Sequence, residues 1–282
     1  MRSQRKHIYG RGAAILALLA ACSVMVGGLP DRLLREVRQE RLDREMIAAV
    51  KRDDLPSAVR ALDRGANGDA RDDPPVPLRE RLLDILRNRR RPRSSAPTAM
   101  LIELQFRYVL FDDEGDTITR KVPPDFVEAL LKHGAGIDSA DRDGHTPLWY
   151  ALMARKGALA RQLIDRGARV TVGRSRGELL FHAIRQSYYV GDATVEKILA
   201  RGADPNLPYQ RVTPLGLAVA SGSIATVKEL LRRGADPNGL SDEWGEGLRR
   251  PMEIVIPENQ PEMVRVLRAA GACARRRYMP RR

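Results

Sequence analysis

A Gly-Ala pair at the end of an apolar, helix-like stretch recurs along this 282-residue chain. Four of the five spacings between successive pairs lie near one period of about 33 residues, and the first spacing is close to twice that period. Such self-similarity predicts an elongated array of stacked units, in which each unit contacts only its neighbours. It argues against a fold built around one globular core. The pairs begin at Gly65, Gly134, Gly167, Gly202, Gly234 and Gly271, which gives spacings of 69, 33, 35, 32 and 37 residues.

The stretch from Thr213 to Asn238 shows the repeated unit in its most regular form. Thr213 is a suitable helix N-cap, and Pro214 fits the first helical position, where its missing N–H costs nothing. Apolar residues recur at helical spacing on both sides of the Ser-Gly-Ser sequence at 221–223, which predicts two short helices packed side by side. Gly234 suits the left-handed residue that ends a helix, and a turn sequence follows it.

The order T-P-L-x-x-A, followed by L-L-x-x-G-A-D-x-N, resembles an ankyrin repeat. The resemblance implies an all-α solenoid of about six helix–turn–helix units, one of them with a long insertion, over residues 42–274. Residues 139–170 repeat the pattern closely, with Trp149 in place of the usual His. The fourth unit, 171–206, has Glu178 where the signature begins and lacks its Thr and Pro, so we expect that helix start to be less firmly capped.

The first spacing of 69 residues indicates an insertion within the second unit. We place the first helix of this unit at 78–89, its second helix at 124–132, and the insertion at about 90–122. The apolar part of the insertion, 98–110, is compatible with either a helix or a strand. An acidic cluster follows at 112–116, for which a solvated turn is favoured over a cation site.

The first 29 residues have the features of an export signal. A basic segment precedes an apolar run, and the Leu-Ala-Ala-Cys sequence at 19–22 resembles the lipobox of bacterial lipoproteins, in which cleavage leaves a lipidated Cys22 at the new N-terminus. The apolar run continues to Leu29, and its 17 residues are also the lower limit for an uncleaved membrane anchor. Both alternatives leave the bulk of the chain outside the cytoplasm, because the basic flank stays inside.

We therefore expect a signal peptide or membrane anchor at 1–21, a linker at 22–41, and a periplasmic, membrane-anchored protein. An outer-membrane lipoprotein is favoured over an inner-membrane single-pass protein. The net charge of +13 would suit nucleic acid, but no recognition motif is present and a periplasmic location removes that ligand. The charge is interpreted as a solvated face, and 275–282 as a basic tail. Cys273, the only cysteine besides Cys22, is expected to be a small core residue.

One sequence carries a catalytic motif. Residues 173–177 match G-x-S-x-G, the nucleophile elbow of serine hydrolases, with Ser175 at its centre. That fold needs a His far downstream, whereas His182 lies only seven residues beyond Ser175, on the helix that follows. The four His are scattered, and no P-loop, G-x-G-x-x-G, H-E-x-x-H or paired C-x-x-C motif occurs. We therefore predict no enzyme, no cofactor and no metal site, with a serine hydrolase as the rival from another class.

The resemblance implies that the partner is another protein, bound on a concave face made by the turn tips and the ends of the first helices. The protein is expected to be a monomer when alone. Two versions of this function are open: an inhibitor or immunity protein against a periplasm-acting toxin, and an assembly or scaffolding factor for envelope enzymes. Many of the residues placed on this face are Arg, Tyr or Trp, which dominate binding hot spots. They are Arg142, Asp143, His145, Met153, Arg174, Arg176, Tyr188, Tyr189, Tyr209, Arg211, Glu243 and Trp244.

Overall fold

The computed structural model describes residues 31, 33–77, 80, 84, 87, 96–108, 124–171, 177–242, 247–255 and 260–273. Within these residues the regular secondary structure is helical, and strand-like pairing is confined to isolated bridges in the loops. The helices are α1 (33–51), α2 (Leu55–Asp63), α3 (Ala99–Tyr108), α4 (Pro124–Lys132), α5 (Pro147–Met153), α6 (Gly157–Asp165), α7 (Glu178–Arg185), α8 (Ser187–Val190), α9 (Asp192–Ala200), α10 (Pro214–Ala220), α11 (Ile224–Arg232), α12 (Pro251–Ile254) and α13 (Pro261–Ala269).

The helix boundaries follow from local side-chain chemistry. The hydroxyl of Thr213 accepts a hydrogen bond from the N–H of Gly216 at 3.2 Å, and Pro214 occupies the first helical position of α10. Thr146 caps α5 in the same way. Gly234 ends α11 with a φ of +87°, a left-handed conformation in which a side chain would be strained.

The helices stack as two rows. Five first helices follow one another in contact, α3 against α5, α5 against α7, α7 against α10 and α10 against α12, while the second helices form a parallel row. Leu and Ala at matching positions fill the layers between them; Leu148, Leu180 and Leu215 are all buried. The prediction of an all-α solenoid of about six helix pairs is confirmed.

The structure corrects the assignment of the second unit. Helix α3 lies inside the segment 90–122, which we expected to be an insertion, and it packs against the first helix of the third unit. Thr98 precedes it, and its hydroxyl accepts a bond from the N–H of Leu101 at 3.4 Å, as Thr146 and Thr213 do in their own units. Helix α3 therefore takes the place of the first helix that we assigned to 78–89, where residues 80 and 84 are also helical.

The array begins within a long helix. Helix α1 spans 33–51, so residue 42, where we placed the start of the repeats, lies inside it. No helix among the described residues is both long and apolar enough to cross a membrane. The lipobox with Cys22, the proposed anchor at 1–21 and the basic tail at 275–282 lie outside the described residues.

Asn side chains connect the loops that follow the second helices. The Asn206 amide donates to the Gly234 carbonyl at 2.9 Å and accepts from the N–H of Asp236 at 2.7 Å. Asn238 repeats both bonds one unit later, to the Gly271 carbonyl and from the N–H of Cys273. This Asn ladder fixes the distance between successive loops. The expectation that Cys273 is a core residue is wrong, since its side chain is exposed at the end of the ladder.

Candidate protein-binding surface

The residues predicted from the sequence fall into two groups at opposite ends of the first helices. The hairpin-end group, which precedes those helices, comprises Arg142, Asp143, His145, Tyr209 and Arg211. The turn-end group, which lies where the first helices end, comprises Met153, Tyr188 and Tyr189. The first helices lie between the two groups. The remaining residues, Arg174, Arg176, Glu243 and Trp244, lie outside the described residues.

Asp141 organises the loop of the hairpin-end group. Its Oδ1 accepts the backbone N–H groups of Asp143 at 2.8 Å and His145 at 3.0 Å, and its Oδ2 accepts the Tyr150 hydroxyl at 2.7 Å. Burial, followed by this hydrogen bond, raises the pKa of Tyr150, so the phenol stays a donor. The loop is thus tied to the helix that it precedes.

The same loop contains three potential metal ligands, since one ligand atom from each of Asp141, Asp143 and His145 lies within 4.8 Å of the others. Both carboxylate oxygens of Asp141 already accept the hydrogen bonds that shape the loop. The hydrogen bonds of the loop therefore account for the position of Asp141.

Rings from three successive units pack together beneath the hairpin-end group. The His145 ring stacks on Trp149 with 3.7 Å between centroids. Trp149 meets His182 of the next unit edge-on at 6.0 Å, and His182 lies 5.8 Å from Tyr209 of the unit after that. Edge-on and tilted ring contacts of this kind are favourable. We call His145, Trp149, Tyr150, Phe181, His182 and Tyr209 the aromatic cluster.

Glu178 connects the three units within this cluster. Its Oε1 accepts the indole N–H of Trp149 at 3.1 Å and the Tyr209 hydroxyl at 3.5 Å, and it lies 3.8 Å from Nε2 of His182. The carboxylate is buried, so these donors offset the cost of removing its charge from water. Its position in the first turn of α7 is also favourable for a negative charge.

Sequence reasoning missed the role of Glu178. The loss of Thr and Pro at this point predicts a weakened helix start, and α7 does lack a side-chain cap. The signal available in the sequence was an acidic residue at the register where Thr146 and Thr213 stand, with a Trp one unit before it. The hydrogen bond between Trp149 and Glu178 depends on the distance between neighbouring units, which the register alone does not give.

His182 is buried in the middle of the cluster. Its Nδ1 is fully enclosed and has no hydrogen-bond partner in the described part of the chain, while its Nε2 faces Glu178. Burial lowers the pKa of His182, with smaller effects from Arg185 and His145 in the same direction and an opposing effect from Glu178. At neutral pH the ring is therefore uncharged.

The tip of the hairpin in the fifth unit has an unusual backbone conformation. Tyr209 and Val212 form an isolated bridge, and the two residues between them, Gln210 and Arg211, both have left-handed backbone angles, with φ of 50° and 69°. Non-glycine residues rarely adopt this conformation, and it occurs where surrounding structure enforces it. The Arg211 side chain is 71% exposed and lies 3.9 Å from Asp242.

The comparisons with known proteins agree with this architecture. A family model of the ankyrin repeat matches residues 211–242. An ankyrin repeat, SAM and basic leucine zipper domain-containing protein 1 from Rhinolophus ferrumequinum is 38% identical over 99 residues, and its Mus musculus counterpart is 37% identical. The match covers 34% of this chain and 21% of either relative, so the chain spans about a fifth of the length of these proteins.

Solved structures resemble a much larger part of the chain. The crystal structure of an ankyrin repeat domain from Acinetobacter baumannii has a TM-score of 0.54 at 20% identity, covering 81% of this chain and 98% of that one. The human ASB11 ankyrin repeat domain has a TM-score of 0.51 at 19% identity, covering 82% and 86%. At this level of identity the resemblance concerns the fold, which is an ankyrin-repeat solenoid.

Proposed function

We propose that this ankyrin-repeat solenoid is a non-catalytic binding module that holds another protein against its concave, hairpin-bearing face. The observation that carries the proposal is the aromatic cluster beneath the hairpins, where one buried carboxylate bonds donors from the units on either side of it. Such a scaffold holds the exposed hairpin residues in fixed positions, which reduces the entropy lost on binding. Repeat arrays of this kind use extended concave surfaces for binding.

The hairpin residues have the chemistry of a protein interface. Arg142 and Arg211 are exposed, whereas Tyr209 and His145 are half-buried members of the aromatic cluster. Aromatic and Arg side chains supported by packed neighbours are the usual binding hot spots. Arg174, Arg176, Glu243 and Trp244, which the sequence register assigns to the tips of the fourth and sixth units, are part of the same proposal.

The proposed setting is the periplasm, with the chain tethered to the membrane through a lipid on Cys22 or through an uncleaved N-terminal helix. The support is the basic, apolar and small-residue pattern of the first 29 residues. In this setting the protein is a monomer when alone and binds no nucleic acid. It acts as an inhibitor or immunity protein against a periplasm-acting toxin, or as an assembly factor for envelope enzymes.

Affinity capture from detergent-solubilised envelope tests the proposal. We expect wild-type protein to retain a specific partner, and the double variant Arg142→Glu/Arg211→Glu to bind it at least about tenfold more weakly, because both charges on the hairpins are reversed. Arg268→Glu reverses the charge of another exposed Arg, in the second-helix row; it is the control and should retain the partner.

Equal capture by the double variant would contradict the proposed face. The identity of the partner distinguishes the two versions of the function: a secreted toxin supports inhibition, and a resident envelope enzyme supports assembly.

A further inference from the structure

The connection between the two helices of the fourth unit is longer than those of the third and fifth units. Residues 154–156 join α5 to α6, and 221–223 join α10 to α11, whereas 186–191 join α7 to α9. The additional residues form the single helical turn α8, Ser187–Val190. A three-residue insertion has therefore been accommodated as an ordered element.

Contacts from the third and fourth units fix this insertion in place. Val190 is buried, and its carbonyl accepts hydrogen bonds from Nη1 of Arg161 at 2.9 Å and from the Thr194 hydroxyl at 2.7 Å. A Cβ atom added to Gly157 would lie 2.3 Å from that carbonyl oxygen, so the approach of the two chains requires glycine there. The C-terminal end of α8 is thus held by contacts with both units.

The element presents two Tyr side chains to solvent. Tyr188 is 91% exposed and Tyr189 52% exposed, with their rings edge-on at 5.1 Å. The guanidinium of Arg155, from the preceding unit, lies over the Tyr189 ring at 3.8 Å from its centroid. Tyr188 forms no hydrogen bond within the described part of the chain, and its ring contributes almost nothing to the core. Packing of the core therefore does not explain why a large aromatic side chain is held at this exposed position.

The basic side chains next to the Tyr pair have no counter-ions among the described residues. Arg155 and Arg185 are both exposed, and neither has a carboxylate of the described residues within ion-pair distance. Arg185 lies three and four positions before Tyr188 and Tyr189 in a nearly continuous helical stretch, which places the three side chains on one side. The acidic residue next to α8, Asp192, uses its Oδ1 to accept the Ser223 and Thr226 hydroxyls of the following unit.

Along the second-helix row, by contrast, three basic side chains are paired between units. Arg166 bonds Glu128 at 2.8 Å, Lys197 bonds Asp165 at 2.5 Å, and Lys228 bonds Glu262 at 2.9 Å. Arg155 and Arg185 differ in this respect from Arg166, Lys197 and Lys228.

We infer that Arg155, Arg185, Tyr188 and Tyr189, here called the Tyr–Arg platform, form a second docking surface that binds an acidic segment of a partner protein. The platform lies at the opposite end of the first helices from the hairpins, so the inference goes beyond the proposed function. Arg offers a planar set of donors that matches a carboxylate, and stacking on Tyr189 orients that set in advance. The exposed Tyr188 ring supplies apolar contact beside the charges.

Selection of random peptides displayed on phage against the immobilised full-length protein tests this inference. We expect the enriched peptides to carry several Asp or Glu residues next to an apolar or aromatic residue. A synthetic consensus peptide, titrated by fluorescence anisotropy, should bind Tyr188→Ser protein about tenfold more weakly and Arg185→Gln protein about threefold more weakly than wild type. Both side chains are exposed, so neither substitution should affect folding, and Arg268→Gln serves as the matched control.

Three results would overturn the inference: no enrichment, enrichment without acidic residues, or binding that Tyr188→Ser leaves unchanged. The variant Arg211→Gln separates this surface from the hairpins. If Arg211→Gln weakens the peptide and Tyr188→Ser does not, the acidic segment binds at the hairpin end, which supports the proposed function and contradicts the platform. If only Tyr188→Ser weakens it, the platform is supported, whatever the outcome for the hairpins.

Discussion

Glu178 shows how one side chain sets the geometry of three repeats. The carboxylate stands in the fourth unit, and its donors come from Trp149 in the third and Tyr209 in the fifth. A hydrogen bond to a charged group contributes about 1.5–3 kcal/mol, and an unpaired buried partner would cost a similar amount. The units flanking the fourth are thus linked through a residue that belongs to neither of them.

The buried imidazole of His182 predicts a pH dependence of stability. Because burial lowers its pKa in the folded protein below the ordinary value of 6.5, the unfolded chain takes up a proton at a higher pH than the folded protein does. The stability that the folded protein retains by keeping His182 neutral is therefore complete above pH 6.5. It is lost as the pH falls through that value towards the pKa of His182 in the folded protein. Glu178 opposes the effect, and Arg185 and His145 reinforce it.

Urea unfolding followed by circular dichroism at about pH 7.5 and pH 5 measures this dependence. We expect the free energy of unfolding of wild type to fall more between these two values than that of His182→Gln, whose amide does not titrate. Equal decreases in the two proteins would show that His182 is not the group responsible.

Single residues also mark where sequence reasoning succeeds and fails. Thr146 and Thr213 were predictable as caps because capping acts within one turn of chain. The roles of Glu178 and of the platform residues Arg155 and Tyr189 were not, because those contacts cross between units. A repeated register gives the neighbours of each unit, but not the side-chain distances between them.

The extra turn α8 depends on the absence of a side chain in the adjacent helix. We predict that Gly157→Ala lowers the free energy of unfolding by about 2 kcal/mol, because the added methyl group would collide with the Val190 carbonyl. Gly239→Ala is the matched control: its Cβ would meet its nearest neighbour at 3.4 Å, an ordinary contact, so a change within about 0.5 kcal/mol is expected. Chemical denaturation of the three proteins measures both values, and an equal effect of the two substitutions would contradict the prediction.

Among the helices, α3 shows the limits of periodicity. Its sequence, residues 99–108, is apolar throughout much of its length, so the positions of its apolar residues do not distinguish a helix from a strand. Thr98 stands in the position that Thr146 holds and indicates a helix start. The Arg-, Pro- and Ser-rich segment before it, 89–97, is typical of a loop and favoured an insertion instead. Packing against α5 decides the assignment, and it is a property of the neighbouring unit.

The number of units that a core substitution destabilises should depend on its position in the array. Leu163 in α6 and Leu267 in α13 are both fully buried, and either substitution by Ala removes the same group, at a local cost of about 3 kcal/mol. In an array with nearest-neighbour contacts, a terminal defect exposes one unit, whereas a central one weakens the contacts on both sides.

Native-state hydrogen exchange distinguishes these outcomes. We predict that Leu267→Ala accelerates exchange in α12 and α13 and leaves α5 and α6 protected, while Leu163→Ala accelerates exchange in α5, α6, α7 and α9. Uniform acceleration in both variants would show that the array unfolds as one cooperative block, contrary to the prediction.

The Asn ladder has an evolutionary consequence. Asn206 and Asn238 make the same two bonds to the following loop, and they are separated by one complete unit. A gene duplication that copied residues 207–238 in tandem would therefore supply each new loop with a donor and an acceptor already in register. The chain can lengthen by such duplications without changes at the junction between units. Each added hairpin would enlarge the surface on which binding residues can evolve.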